Sequence, residues 1–187
     1  AANIGISFYQ EATNILCSLL GADCAIIGKR LNESRIQALA MQLDGKPIEY
    51  FEYSLHGAPC DIVTREGYQE YSENVAQLFP LDKDLTELGA EAYIGVPTRN
   101  SDGKVNGILC AIFRHKLAPQ PMRKEVLEII AARAGTEIER QQAEQALRDS
   151  EERWNFALEG AGDGVWDWDM QTGKVVYSRR YKEMLGF

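Results

Sequence analysis

The side chains best suited to chemistry in this 187-residue chain are four cysteines, at 17, 24, 60 and 110, and two histidines, at 56 and 115. A thiolate is both nucleophile and soft-metal ligand, so each cysteine is weighed by what would ionise it. In His56-Gly57-Ala58-Pro59-Cys60 a Gly and a Pro signal a sharp turn, and Pro59 suits the first position of a helix. Cys60 then falls in that helix's first turn, where unpaired N–H groups and the helix dipole favour an anion. His56 could add positive charge nearby, whereas the adjacent Asp61 opposes the anion. Redox or nucleophilic chemistry at Cys60 stands against the plainer reading of an inert core thiol.

Other chemistries find less support. No C-x-x-C pair is present, so zinc-ligand spacing is absent. Each cysteine lies in or beside an apolar stretch, and a chain of this length needs no stapling; reduced, mostly buried thiols and a cytoplasmic protein are expected. Asp163, Asp167 and Asp169 could suggest a metal site, but alternation with Trp166 and Trp168 puts Asp167 and Asp169 together on what reads as the solvated side of a strand. Gly160, Gly162 and Gly164 lack the lysine and the strand-to-helix order of a phosphate loop. His115-Lys116 follows a strand and reads as a solvated edge rather than a haem or metal ligand.

Twenty Lys and Arg against 28 Asp and Glu give a net charge of −8, a field that repels nucleic acid and anionic lipid. No apolar run approaches the ~18 residues needed to cross a bilayer; Gly107 to Phe113 has strand length, and no signal peptide is visible. The chain opens at Ala1 without a Met, which suggests an excised piece of a longer protein.

These residues must be positioned by a recognisable order of elements. Phe8, Ala12, Ile15, Leu16, Leu19 and Leu20 form a helical stripe that ends at Gly21. Residues 22–31 and 35–43 read as a hairpin, with Asp44-Gly45 marking the next turn. An aromatic strand over 49–55 leads to the Gly-Pro turn and a short helix through Val63. A strand is predicted over 68–75, then a helix through Leu88 capped by Asp82 or Asp84. Strands over 92–97 and 105–114 follow; the second is apolar on both faces and therefore central.

From Pro121 a helical stripe of Val126, Leu127, Ile130, Ala131, Ala134 and Ile138 passes into an almost wholly charged or amide stretch that should continue as one rod. A second seam at 143, 147, 150 and 154 is out of phase with the first, so parallel pairing with a second copy is expected in a weakly specified register, with a solvated single helix as the alternative. After Trp154 a new unit begins: strands at 165–170 and 174–178 form a hairpin, and a short helix over 180–185 precedes the end. Two strands cannot close a core alone, so this reads as the opening of a second domain.

The G-x-P-C turn at Gly57 to Cys60, the string Tyr93-Ile94-Gly95-Val96-Pro97, and Gly107 to Ala111, in this order of elements, resemble a GAF domain over roughly residues 1–140. Ser150-Glu151-Glu152-Arg153-Trp154 followed by 160–187 resembles the connector and first third of a PAS domain. The resemblance implies an α+β fold. A central antiparallel sheet of about five or six strands is flanked by helices, a long C-terminal connector helix follows, and an incomplete PAS-like hairpin and helix complete the chain. The implied division is 1–140, a connector at 141–155, and 156–187.

In GAF domains a small-molecule pocket lies between the sheet and the short helices, and the segments that would converge there carry Tyr53, Leu55, His56, Cys60, Tyr93 and Cys110. Bilin-binding members usually have His directly after the attachment cysteine, where here Asp61 follows Cys60. Cyclic-nucleotide binders carry an N-K-F-D-E type signature, of which Asn74, Phe79 and Asp82 give only a loose echo. No bilin, haem or metal is therefore expected.

The expected function is a non-catalytic sensory module of a bacterial sensor histidine kinase or diguanylate cyclase. It would form a homodimer through its terminal helices, sense a small molecule or partner, contact no nucleic acid, and insert no segment of its own into a membrane. The alternatives are a ligand-free dimerisation spacer and, because free methionine sulfoxide reductases resemble GAF domains, a thiol reductase acting through Cys60.

Overall fold

The computed structural model describes residues 2–49, 51–161 and 164–186, with side chains for 8–49, 51–157 and 164–186. Tyr50 of the aromatic stretch and Asp163 of the acidic trio lie outside them. The chain divides into two compact units, Ala1–Gln141 and Gln142–Phe187.

In the first unit, α1 (Ala2–Leu20) buries Tyr9, Ala12 and Leu16, three positions of one helical face. β1 (Cys24–Arg30) and β2 (Arg35–Leu43) form the expected antiparallel hairpin. The outer edge of β2 is shared: β3 (Lys46–Ile48) pairs with Met41–Leu43, and β4 (Glu52–Ser54) pairs with Arg35–Gln37. The sheet thus has seven strands rather than five or six, in the order β3-β2-β1-β7-β6-β5 with β4 beside β3 along the same edge. The sequence shows the aromatic run of 49–55 as one strand, but only 52–54 pairs, because β3 occupies the remainder of the edge.

Three short helices then cover one face, with an edge strand between the first two. α2 (Pro59–Glu66) has Pro59 at its first position and runs three residues past Val63. β5 (Gln69–Tyr71) is much shorter than the predicted 68–75, since Asn74 takes a left-handed conformation and starts α3 (Val75–Leu78). α4 (Lys83–Leu88) is capped by Asp82, whose carboxylate accepts from the Leu85 N–H at 3.4 Å. β6 (Ala92–Arg99) and β7 (Val105–Phe113) pair in register from Ala92↔Phe113 onward, and β7 sits between β1 and β6 at the sheet centre.

The alternation of β7 divides the interior in two. Leu109, Ala111 and Phe113 pack with α1 and with Leu127, Ala131, Ala134 and Ile138 of α5 (Arg123–Ala161). Ile108, Cys110 and Ile112 face the short helices on the other side. α5 is held against the sheet by polar contacts too: Asn106 Nδ2 donates to the Gly135 carbonyl at 2.8 Å, and Ser101 Oγ donates to Glu139 at 2.7 Å. α5 is one continuous helix that runs past residue 155 to Ala161.

In the second unit, β8 (Trp166–Trp168) and β9 (Val175–Tyr177) pair antiparallel and α6 (Arg179–Met184) follows, capped by Ser178 Oγ. Asp169 closes the hairpin turn, accepting from the Gln171 and Thr172 N–H groups and the Thr172 hydroxyl. These bonds hold its carboxyl below the usual range. Its role is that of a turn cap.

Candidate functional site

A cavity of about 30 Å³ lies between the sheet and the short helices. Its lining includes Tyr53, Cys60, Tyr93 and Cys110, together with Phe51, Leu85 and the carboxylates Asp82 and Asp84. Local sequence explains each placement. Cys110 is an inward position of β7, Tyr93 an inward position of β6, Tyr53 lies on edge strand β4, and the Pro59 start of α2 turns Cys60 inward.

The polar atoms converge on one sulfur. Tyr93 Oη lies 3.2 Å from Cys60 Sγ, the Tyr53 hydroxyl donates to the same sulfur at 3.5 Å, and Cys110 lines the same cavity. The neighbouring Cys110 thiol foremost, then these hydroxyls, pull the Cys60 thiol below its ordinary value against the effect of burial. Cys110, next to Cys60 and buried, is pushed well above. Burial likewise raises both tyrosines.

The chemistry at Cys60 therefore differs in origin from the sequence reading. His56 is exposed and does not line the cavity, so it adds no charge there. Asp61 pairs with Arg65 at 2.7 Å; the carboxylate that opposes a Cys60 anion is Asp82. Burial raises Asp82 itself. Leu55 is buried in the same apolar cluster but does not line the cavity.

Sequence reasoning missed the cavity roles of Phe51, Met41, Asp82 and Asp84. Asp82 and Asp84 carried a local signal only as candidate helix caps and Phe51 only as part of an aromatic strand, and neither pattern indicates a cavity wall. None of the four cysteines is in a disulfide, and Cys24, Cys60 and Cys110 are buried while Cys17 is half-buried. Among the described residues no cluster of three or more metal-ligating side chains occurs, and no helix is long and apolar enough to cross a membrane.

Comparison with known proteins follows the same division. A 46-residue stretch, 25% of the chain, is 46% identical to hybrid signal transduction histidine kinase A of Dictyostelium discoideum, of which the chain spans about 2% of the length. Among solved structures, the blue-light absorbing form of the Thermosynechococcus elongatus PixJ GAF-domain is similar with a TM-score of 0.57. It is 17% identical, over 80% of this chain and 93% of that one. The chromophore-binding domain of the bacteriophytochrome RpBphP3 from R. palustris is similar with a TM-score of 0.55 and 11% identity, over 70% of this chain and 54% of that one. At these identities the likeness is one of fold. The GAF domain family model matches residues 6–138, which hold the seven-stranded sheet, both apolar clusters and the cavity, and the chain belongs to the GAF domain family.

Proposed function

We propose that residues 6–138 are the sensory module of a larger signal-transduction protein, taking a small neutral or cationic molecule in the cavity beside Cys60. GAF domains are typical of sensory signalling modules, and the identity with a histidine kinase is in keeping with that role. The observation that carries the reading is the cluster of two thiols and two phenols at one end of a cavity otherwise walled mainly by apolar side chains, a pattern suited to fixing a small ligand. Among the described residues no Lys, Arg or His lines the cavity, and Asp82 and Asp84 do, so an anion such as a cyclic nucleotide would meet like charge there.

In this reading the signal leaves through α5. β7 has Cys110 on the cavity side and Leu109 and Ala111 on the α5 side, so one strand separates the two clusters. The helix pairs with its copy in a second chain, which covers the exposed Leu147 and Trp154, and delivers the change to a PAS-like unit at 156–187. A histidine kinase or diguanylate cyclase output lies beyond.

The test is a thermal-shift screen of small neutral solutes, amines and anions. Neutral or cationic compounds should raise the melting temperature, by an amount that grows with concentration. Stabilisation by anions alone would overturn the ligand class. A ligand-free dimerisation spacer is favoured by the fact that the Cys60 thiol and the hydroxyls already bond one another, and it predicts no shift from any compound.

A further inference from the structure

We propose that Cys60 and Cys110 form a peroxide-responsive thiol pair, in which a hydroperoxide entering the cavity oxidises Cys60 and Cys110 then closes a disulfide. The inference rests on reading this cavity as the sensory site, and it assigns that site a reagent and a covalent output.

Three features carry it. First, the two cysteines belong to elements far apart in sequence, the first turn of α2 and the centre of β7, yet both are buried in one apolar cluster and line the same small cavity. Second, Cys60 Sγ accepts from Tyr53 Oη at 3.5 Å and has Tyr93 Oη at 3.2 Å, a pair in which either atom can donate, so hydroxyls take the place of water around this sulfur. Third, the cavity of about 30 Å³ reaches both sulfurs. That is room for about two water-sized molecules, and so for hydrogen peroxide. A neutral oxidant also suits a lining that carries carboxylates and no cation.

The chemistry balances in two steps. Cys60 sulfur attacks one peroxide oxygen; the S–O bond forms as the O–O bond breaks, and the thiol proton joins the departing hydroxide as water. Cys110 sulfur then attacks the sulfenic acid sulfur; the S–S bond forms, the S–O bond breaks, and the Cys110 proton leaves with hydroxide as a second water. Two electrons pass from the two sulfurs to the peroxide.

A disulfide needs sulfurs about 2.05 Å apart, closer than any non-bonded contact between them. Forming it draws the start of α2 toward β7 and takes Cys60 from Tyr53 and Tyr93. α2 packs on β5, β6 and β7, and the opposite face of β7 packs on α5, so the movement reaches the helix that leaves the unit. Cys17 and Cys24 serve as internal controls. Burial pushes the Cys24 thiol up to about 12 and raises that of Cys17 as well.

The test treats the reduced 187-residue chain with a small excess of hydrogen peroxide, then counts thiols by maleimide labelling in denaturant and maps the peptides. Labels should fall from the four cysteines to two, with a Cys60–Cys110 cross-linked peptide that dithiothreitol reverses. Cys110→Ser should leave Cys60 as a sulfenic acid captured by dimedone. Four labels remaining, a Cys17–Cys24 link, or methionine oxidation alone would overturn the proposal. The wild-type mapping decides it even if the variant fails to fold. A cross-link that leaves amide exchange along α5 unchanged keeps the thiol pair and overturns the sensory reading. Absence of the link alongside a ligand-induced thermal shift does the reverse.

Discussion

Gly135 sits inside α5, where helix propensity alone says that alanine would be better by about 1 kcal/mol. The structure reverses that sign. A Cβ built at 135 would lie 2.1 Å from the Arg99 carbonyl oxygen and 2.7 Å from the Arg99 nitrogen, both backbone atoms at the end of β6. Ordinary contact needs 3.4 Å or more, so Gly135→Ala must lift α5 from the sheet by about 1 Å. Overpacking of this kind costs about 1–3 kcal/mol. The same displacement stretches the 2.8 Å bond from Asn106 to the Gly135 carbonyl, which is worth about 1 kcal/mol.

After the propensity gain, a net loss of about 1–3 kcal/mol is expected. All three tryptophans, at 154, 166 and 168, lie in the second unit, so their fluorescence does not report on this contact. Amide hydrogen exchange of β6 and β7 does. Exchange through local opening there should speed by about 5- to 150-fold in the variant. Unchanged or slower exchange would refute the close approach of α5 to β6.

Three further outcomes follow from the same geometry. At Gly95 an added Cβ would lie 2.4 Å from Tyr93 Oη and 2.9 Å from two of its ring carbons, so Gly95→Ala should cost about 1–3 kcal/mol. Tyr93→Leu, which removes the ring, should abolish most of that cost in a double-mutant cycle by urea denaturation, and simple additivity would refute the contact. Burial holds the Asp82 carboxyl above its usual range, so the fold is penalised above that folded-state pKa and the penalty fades as pH falls through it. Asp82→Asn, which keeps a capping side chain, should melt no lower than wild type at neutral pH, with any advantage closing on acidification; a variant less stable at neutral pH would contradict this. Leu147→Pro breaks α5 beyond the sheet-packed turns, at a cost of about 3 kcal/mol. In the full-length protein it should leave output activity unresponsive to peroxide, and an intact response would refute the relay.

Most of the fold was legible because periodicity is enforced wherever one face is buried. The β1–β2 hairpin and the doubly apolar β7 stand where alternation puts them, whereas the α1 stripe holds only in part: Ala12 and Leu16 are buried with Tyr9, and Ile15 and Leu19 are exposed. Legibility failed where the backbone, not the side-chain pattern, decides. The 49–55 run looks like one strand, but the outer edge of β2 is divided between β3 and β4. The run from Tyr68 ends early because Asn74 turns left-handed.

The site was legible in part for the same reason. Tyr53, Cys60, Tyr93 and Cys110 are inward positions of elements that the pattern located, and they meet. His56 does not join them, because it sits in the turn before α2, exposed to solvent. That Cys60 and Cys110 line one cavity depends on how α2 lies across β7, a tertiary fact that no local spacing records.

Native mass spectrometry of the purified chain, set against its denatured mass, tests the sensory reading most directly, since one spectrum reports subunit number and any retained molecule together. The prediction is a dimer, with each folded subunit carrying the extra mass of a small neutral or cationic compound that is lost on denaturation. A bare monomer would contradict both the ligand and the paired helix.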